Sequence, residues 1–475
     1  MCLLFAMWFF SGVVMMYVGY PELTVEEQYA GRSEINPALV TISPEGLNEI
    51  TQAGPTTNSL VLTNIASRPV YLLNQYGFSW RAMYADSGEW VAEISPQHAV
   101  ESARIFYRNQ HTNEPIAVHF QQTLEMDQWT ISSSLSAHRP LHLIAIGDTA
   151  DTHLYVSSRT GQVVLDTTRK ERVWNWLGSN LHWIYPLQLR KYSGVWVNTI
   201  IVLSLIGLVS VFTGAVIGLT RLRLRHPYRG KNITPYRGIA KYHHILGLVS
   251  LIFLTTFMFS GLMSMGPWGI FDSGTSFTQQ INRYQTPQDS SRSAAVFSTA
   301  NEIRRLLEQK ANQQTKQITW HRLGGESYIA MHDSQDDVRT TSSMTRALGL
   351  EQQIKNNVAQ LIPTSEILVR QRLNEYDAYY YSHHDQFRPL PVLRVKFADP
   401  ASTWFHIDIA TGQVIGRVTS RNRVQRWIYS GLHSLDFSVL INNRPFWDIV
   451  VISLCGLGLA FSITSVVGAW VRIRK

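Results

Sequence analysis

The sequence predicts an α-helical membrane protein with four transmembrane helices and two external α+β domains, built as a tandem duplication of one helix-domain-helix unit. Three observations predict it. Four apolar, nearly uncharged runs (1–20, 195–219, 243–268 and 446–471) approach or exceed the roughly 20 residues a helix needs to cross the hydrocarbon. Long polar blocks, 21–194 and 269–445, follow the first and third runs. The chain also repeats itself: Trp176, His182, Trp196, Thr213 and Arg221 return 251 positions later as Trp427, His433, Trp447, Thr464 and Arg472. A repeat in one register dictates architecture before any local reading begins.

Taken in order, 1–20 lacks the basic start, short apolar core and small-residue cleavage site of a secretory signal, and is expected to be a retained helix. The block 21–194 is expected to hold an α+β domain and an interfacial segment. Ala99, Val100, Ala103 and Phe106 are spaced as on an amphipathic helix, and 141–164 alternates as strands do. Thr160-Gly161-Gln162 reads as the hairpin turn within it. After the span 195–219, the loop 220–242 carries Arg221, Arg223, Arg225, Arg229, Lys231, Arg237 and Lys241 with no acid. The span 243–268 follows. The second block, 269–445, repeats the α+β pattern in 392–415 and adds a polar, Gln-rich stretch, 279–316, expected to be a helix with flexible flanks. The last span, 446–471, ends in the tail 472–475 with Arg472, Arg474 and Lys475.

Short basic loops mark the cytoplasmic side, so both blocks are expected to be periplasmic and the protein to be multi-pass in a bacterial inner membrane. The same anchors account for ten of the cations behind the net charge of +8, which leaves no reason to invoke nucleic acid. Phe10-Ser11-Gly12 and Arg139-Pro140-Leu141 match Phe259-Ser260-Gly261 and Arg388-Pro389-Leu390 at an offset of 249, and Thr160-Gly161-Gln162-Val163 matches Thr411-Gly412-Gln413-Val414 at 251. Two parallel copies imply a pseudo-two-fold axis along the membrane normal.

The run Asp408-Ile409-Ala410-Thr411-Gly412-Gln413-Val414 resembles the closing hairpin of PepSY domains. Tyr242-His243-His244-Ile245-Leu246-Gly247-Leu248, Phe259-Ser260-Gly261-Leu262-Met263-Ser264-Met265 and Gly431-Leu432-His433-Ser434-Leu435-Asp436-Phe437 resemble the PepSY-associated transmembrane family. The likeness covers nearly the whole chain and implies that the periplasmic domains are PepSY-like. It also implies a function, because the family includes haem-containing ferrisiderophore reductases of the inner membrane.

Candidate site residues are the histidines at the membrane edges. His182 and His433 fall at the outer edge of the second and fourth spans, each in a Trp-rich stretch, and symmetry sets them at one depth across the axis. Two neutral imidazoles facing across a gap suit axial ligation of haem iron; a lone interfacial histidine more often only hydrogen-bonds at the headgroup level. His243 and His244 open the third span at the inner face, where ionisable groups are costly and often functional. With the family resemblance, all four are candidate ligands for one or two haem b groups. The 249 offset sends the counterparts of His243 and His244 to positions before Met1. Either a basic, His-bearing lead-in precedes this start, the expectation favoured by the lack of Lys or Arg before the first span, or the inner ligand has another partner such as His226.

Tyr379-Tyr380-Tyr381-Ser382-His383-His384-Asp385, with Glu375 and Asp377 upstream, gathers groups that bind iron. Adjacent strand residues point to opposite faces, so only part of it can converge, and a polar hairpin is the plainer reading. Cys2 and Cys455 lie in apolar runs and support neither a disulfide nor a thiolate site.

The expected function is haem-dependent electron transfer from a cytoplasmic or quinol donor across the lipid bilayer to a ferric-siderophore or other ferric complex. The alternative is a membrane-anchored module that binds or inhibits a peptidase or senses an envelope ligand. Hydrolase elbows, His-Glu-x-x-His and phosphate-binding loops are absent from the sequence, and the spans lack the acids and broken helices of a transporter.

Overall fold

The computed structural model describes residues 1–44, 57–75, 79–111, 116–272, 274, 276–286, 299–309, 314–333, 338–341, 349–382 and 388–474. Among the described residues, three helices are long and apolar enough to cross a membrane: Ser193–Arg221 with 29 residues, Ile239–Ser264 with 26 and Phe446–Ile473 with 28. At 1.5 Å per residue each reaches about 40 Å, beyond the ~30 Å hydrocarbon. The expectation of four transmembrane helices is corrected here. The first apolar run folds as Cys2–Met15, only 14 residues, or about 21 Å of helix.

The segment C-terminal to that helix is the cause. Tyr20 donates its hydroxyl proton to the Gln128 carbonyl, and Asn175 donates to the Gly19 carbonyl at 2.9 Å. Past Met15 the chain leaves the helix, and Gly19 and Tyr20 are tied to the domain beyond it. The short helix still packs with the long ones, Phe5 and Phe9 sharing a cluster with Val211, Leu254, Trp447, Val451 and Cys455.

Among the described residues, the part outside these helices mixes helices with three antiparallel sheets, in keeping with the expected α+β pattern. Strands β1 (Thr57–Ile65), β2 (Arg68–Gln75) and β3 (Ser79–Tyr84) come from the first block; β8 (Gln317–Leu323), β9 (Glu326–His332) and β10 (Val338–Thr341) come from the second. They join in one six-stranded sheet of order β10-β9-β8-β1-β2-β3. Its central pair sets Leu60 opposite Trp320 and Leu62 opposite Ile318, and its core mixes Leu62, Tyr71 and Leu73 with Ile303, Ile318 and Ile329. The two blocks therefore share a sheet whose order is palindromic about the repeat axis.

Each block also has its own four-stranded meander: β4 (Val118–Leu124), β5 (Leu141–Ile146), β6 (His153–Ser157) and β7 (Val163–Thr167), then β11 (Ile367–Leu373), β12 (Val392–Phe397), β13 (Trp404–Asp408) and β14 (Val414–Val418). The expected amphipathic helix is present as Pro96–Gln110, capped by Ser95 and packed through Ala99, Ala103 and Phe106 onto the first meander. The hairpin turns expected at Thr160 and Thr411 place Gly161 and Gly412 at φ +78° and +65°, where a Cβ would be strained. In the Gln-rich stretch, helices Phe277–Gln285 and Ala300–Glu308 are seen; 287–298 lies outside the described residues.

Each meander leads into a helix opened by a capping box, Thr168 with Glu171 and Thr419 with Asn422. These helices pass into π-helical turns, Trp176–Asn180 and Trp427–Gly431, a local widening of the helix found often at functional sites. The histidine of each repeat comes within two residues of its turn.

Candidate functional site

His182 and His433 meet. Their ring centres are 6.1 Å apart with planes inclined by 67°, and each ring is half-buried. The surroundings repeat atom for atom. His182 Nδ1 lies 3.1 Å from Ser11 Oγ and 3.2 Å from the Trp8 carbonyl; His433 Nδ1 lies 3.1 Å from Ser260 Oγ and 3.2 Å from the Phe257 carbonyl. Gly12 and Gly261 lie against the rings, where a Cβ on either would make an ordinary contact, 3.5 and 3.4 Å from the Cε1 of His182 and His433. Trp196 Nε1 donates to the Trp183 carbonyl and Trp447 Nε1 to the Ser434 carbonyl, at 3.0 and 3.1 Å, and so ties each histidine turn to the start of its long helix.

This arrangement fixes the tautomer. A carbonyl oxygen only accepts, so Nδ1 carries the proton in both rings and Nε2 keeps its lone pair. Among the described residues neither Nε2 has a hydrogen-bond partner. Burial holds both imidazoles below the ordinary histidine pKa, and for His182 the neighbouring His433 adds to that effect. Two neutral rings with oriented lone pairs are in the state a metal ligand requires, and an Nδ1–H held by a backbone carbonyl is the usual support for one.

The inner histidines are not brought together in the same way. His243 Nδ1 lies 3.1 Å from Thr464 Oγ1, whose own proton goes to the Phe461 carbonyl, and its ring stacks on Phe461 at 4.6 Å. His244 turns to the other neighbour, donating from Nε2 to the Gly218 carbonyl at 2.9 Å and meeting Tyr236 edge-on, with Nδ1 buried and unpartnered. One ring serves the Phe446–Ile473 helix and the other the Ser193–Arg221 helix, so they do not form a two-ligand site with each other. His226 is exposed in the basic loop.

The aromatic and acidic run in the second block is divided. Asp377 pairs with Arg394, whose Nε donates to His406 Nε2 at 2.8 Å. Tyr380 is fully buried beside His406, and Tyr381 donates to Asp436. His383, His384 and Asp385 lie outside the described residues. No group of three or more His, Cys, Asp or Glu side chains gathers as a metal site among the described residues.

Sequence reasoning paired the histidines but missed the groups that orient them. The signal was present: Phe10-Ser11-Gly12 and Phe259-Ser260-Gly261 serve in the sequence only to align the repeats, and they supply the serine and glycine against each imidazole. No curated protein matches the chain. Residues 1–347 match the family described as the PepSY-associated TM region, and a membrane protein with this repeated histidine turn and these three spans belongs to that family.

Proposed function

We propose that the chain is a haem-dependent electron-transfer protein of the bacterial inner membrane, which reduces ferric-siderophore or other ferric complexes on the periplasmic side. The observation that carries this reading is the facing of His182 and His433. Their ring centres stand 6.1 Å apart, so that both imidazoles would reach one metal ion between them. The residues fit one haem b held between them. Held by His182 and His433, such a group would supply a one-electron carrier.

The chain's own part is to hold and shield. Ser11, Ser260 and the carbonyls of Trp8 and Phe257 fix ring orientation, while Phe257 and Tyr429, with ring centres 5.8 and 5.5 Å from His433, lower the local polarity. The external sheets offer the docking surface for the acceptor, and the donor is a cytoplasmic reductant or a quinol in the bilayer. His243 and His244, at the other end of their span, remain candidates for a second site in which each takes a different partner.

The test is the absorption spectrum and pyridine haemochrome of the purified protein. A reducible, low-spin haem b is expected, lost in either His182→Ala or His433→Ala. Haem-free wild-type protein, or spectra and ferric reductase activity indifferent to both substitutions, would remove the electron-transfer reading and leave a membrane-anchored ligand-binding module.

A further inference from the structure

The two blocks differ beneath their hairpins. In the second block, two tyrosines close the space beneath the hairpin at Thr411-Gly412: Tyr284 donates its hydroxyl proton to the Gly412 carbonyl at 3.1 Å, and Tyr328 donates to the Thr411 carbonyl. Both are buried in a cluster with Leu323, Ile354 and Val358. Counted from the helix caps Thr24 and Ser276, the residue that corresponds to Tyr284 in the first block is Arg32. Counted from the start of the strands β2 and β9, the counterpart of Tyr328 is Val70. The phenolic plugs are gone.

What remains is a shallow open cleft of about 30 Å³, lined by Arg32, Asn64, Ser67, Ser102, Gln162 and Phe106 among others. Arg32 contacts Gln317 and lies over the Tyr29 ring, but among the described residues no carboxylate faces it. Burial lowers its pKa to about 10, as expected of a guanidinium without a counter-charge. Asn64 is 7 % exposed and its Nδ2 donates to the Glu34 carbonyl, while its Oδ1 is buried with no partner. A cation without an acid and an orphaned acceptor therefore stand in one concave site.

We propose that this cleft binds a small ligand that bears a carboxylate and an adjacent N–H, the chemistry of an acylated amino acid or a peptide carboxy terminus. The carboxylate meets the planar fork of Arg32, the N–H meets Asn64 Oδ1, and the hydroxyls of Ser67 and Ser102 complete the wall. Phe106, whose ring lies against Gly31 so closely that a Cβ there would collide with it, gives the apolar side. Because Arg32 also reaches Gln317 at the start of β8, an occupant would sit where the first block meets the shared sheet. The proposal is independent of the haem reading.

Binding to the purified full-length protein in detergent is measured by calorimetry with N-acetylglycine, with N-acetylglycinamide as the uncharged control and with inorganic phosphate. Saturable binding of the acid alone is expected. Arg32→Gln should weaken it by about tenfold or more, the scale of a lost charge-assisted pair. Arg32→Tyr, which restores the plug of the second block, and Ser102→Leu, which fills the wall without touching the guanidinium, should abolish it. An unchanged thermal midpoint shows that each variant is folded. Failure of the acid to bind, equal binding of the amide, binding of phosphate alone, or indifference to all three substitutions would overturn the proposal.

Discussion

At the scale of single residues, the site depends on groups one step removed from the histidines. Ser11 and Ser260 are both fully buried, and each sits on an Nδ1 that must keep its proton for Nε2 to ligate. If the pair holds haem as proposed, Ser11→Ala and Ser260→Ala are each expected to weaken its retention about tenfold, the lower end for loss of an outer-shell partner, while leaving the spectral type unchanged. Competition with apomyoglobin measures this. A second residue-scale prediction concerns Asp377. The counterpart network in the first block is simple, with Tyr155 donating to Asp127 at 2.7 Å, whereas the second block buries Arg394 at 3 % exposure between Asp377 and His406. Asp377→Asn leaves that guanidinium without its charge partner. Since the Asp377 side chain is 37 % exposed, the full penalty for a broken buried pair is discounted, and a loss of about 1–2 kcal/mol is expected, read by chemical denaturation.

At the scale of elements, the histidine pair depends on how closely the helices approach. Gly458, on the Phe446–Ile473 helix, receives Phe9: a Cβ there would fall 2.5 Å from the ring. Its repeat partner Gly207 receives Met258, the counterpart of Phe9, through the terminal methyl. Small residues at such crossings let helices pack tightly within a membrane. The two contacts are equivalent in position but not in stiffness, because a Met methyl swings aside and a phenyl ring does not. Gly458→Ala is therefore expected to cost about 1–3 kcal/mol through overpacking, and Gly207→Ala clearly less. Thermal midpoints in detergent, with haem retention as a second readout, decide the order. Gly207 and Gly458 stand 251 positions apart in the sequence, but which neighbour each one admits depends on helix crossing, which periodicity does not encode.

At the scale of the whole molecule, the six-stranded sheet makes the two blocks one folding unit. β1 and β8 pair directly and their core is common, so the external region is expected to unfold in a single calorimetric transition; two resolved transitions would contradict the shared core. Its response to acid is set by buried histidines. Burial, with help from neighbouring charges at all but His138, lowers His138 and His332 to about 4 and His321 and His406 to about 3. In the unfolded chain these groups take up protons near 6.5, while the folded protein resists until about 4 or below. Between those limits the unfolded state binds more protons, so stability should fall steadily as pH drops from about 6.5 to 4 and be flat above 7. Denaturation midpoints across that range measure the slope, and Trp80, stacked on His138 at 5.7 Å, provides a fluorescence reporter.

The sequence by itself determined what repeats and periods can carry: the three long spans, the paired α+β patterns, the hairpin glycines, and the equivalence of His182 with His433. Those are local or translational properties, written in spacing along the chain. Tertiary structure decided the rest. Twenty apolar residues at the start suggested a fourth span, but the helix is only Cys2–Met15, with Gly19 and Tyr20 tied to the external domain. Two blocks looked separate, yet strand edges that cannot remain unpaired join them into one sheet. The pair of histidines became a site because two helix ends and two serine-glycine turns converge across the axis, and convergence is a property of packing that neither half contains alone.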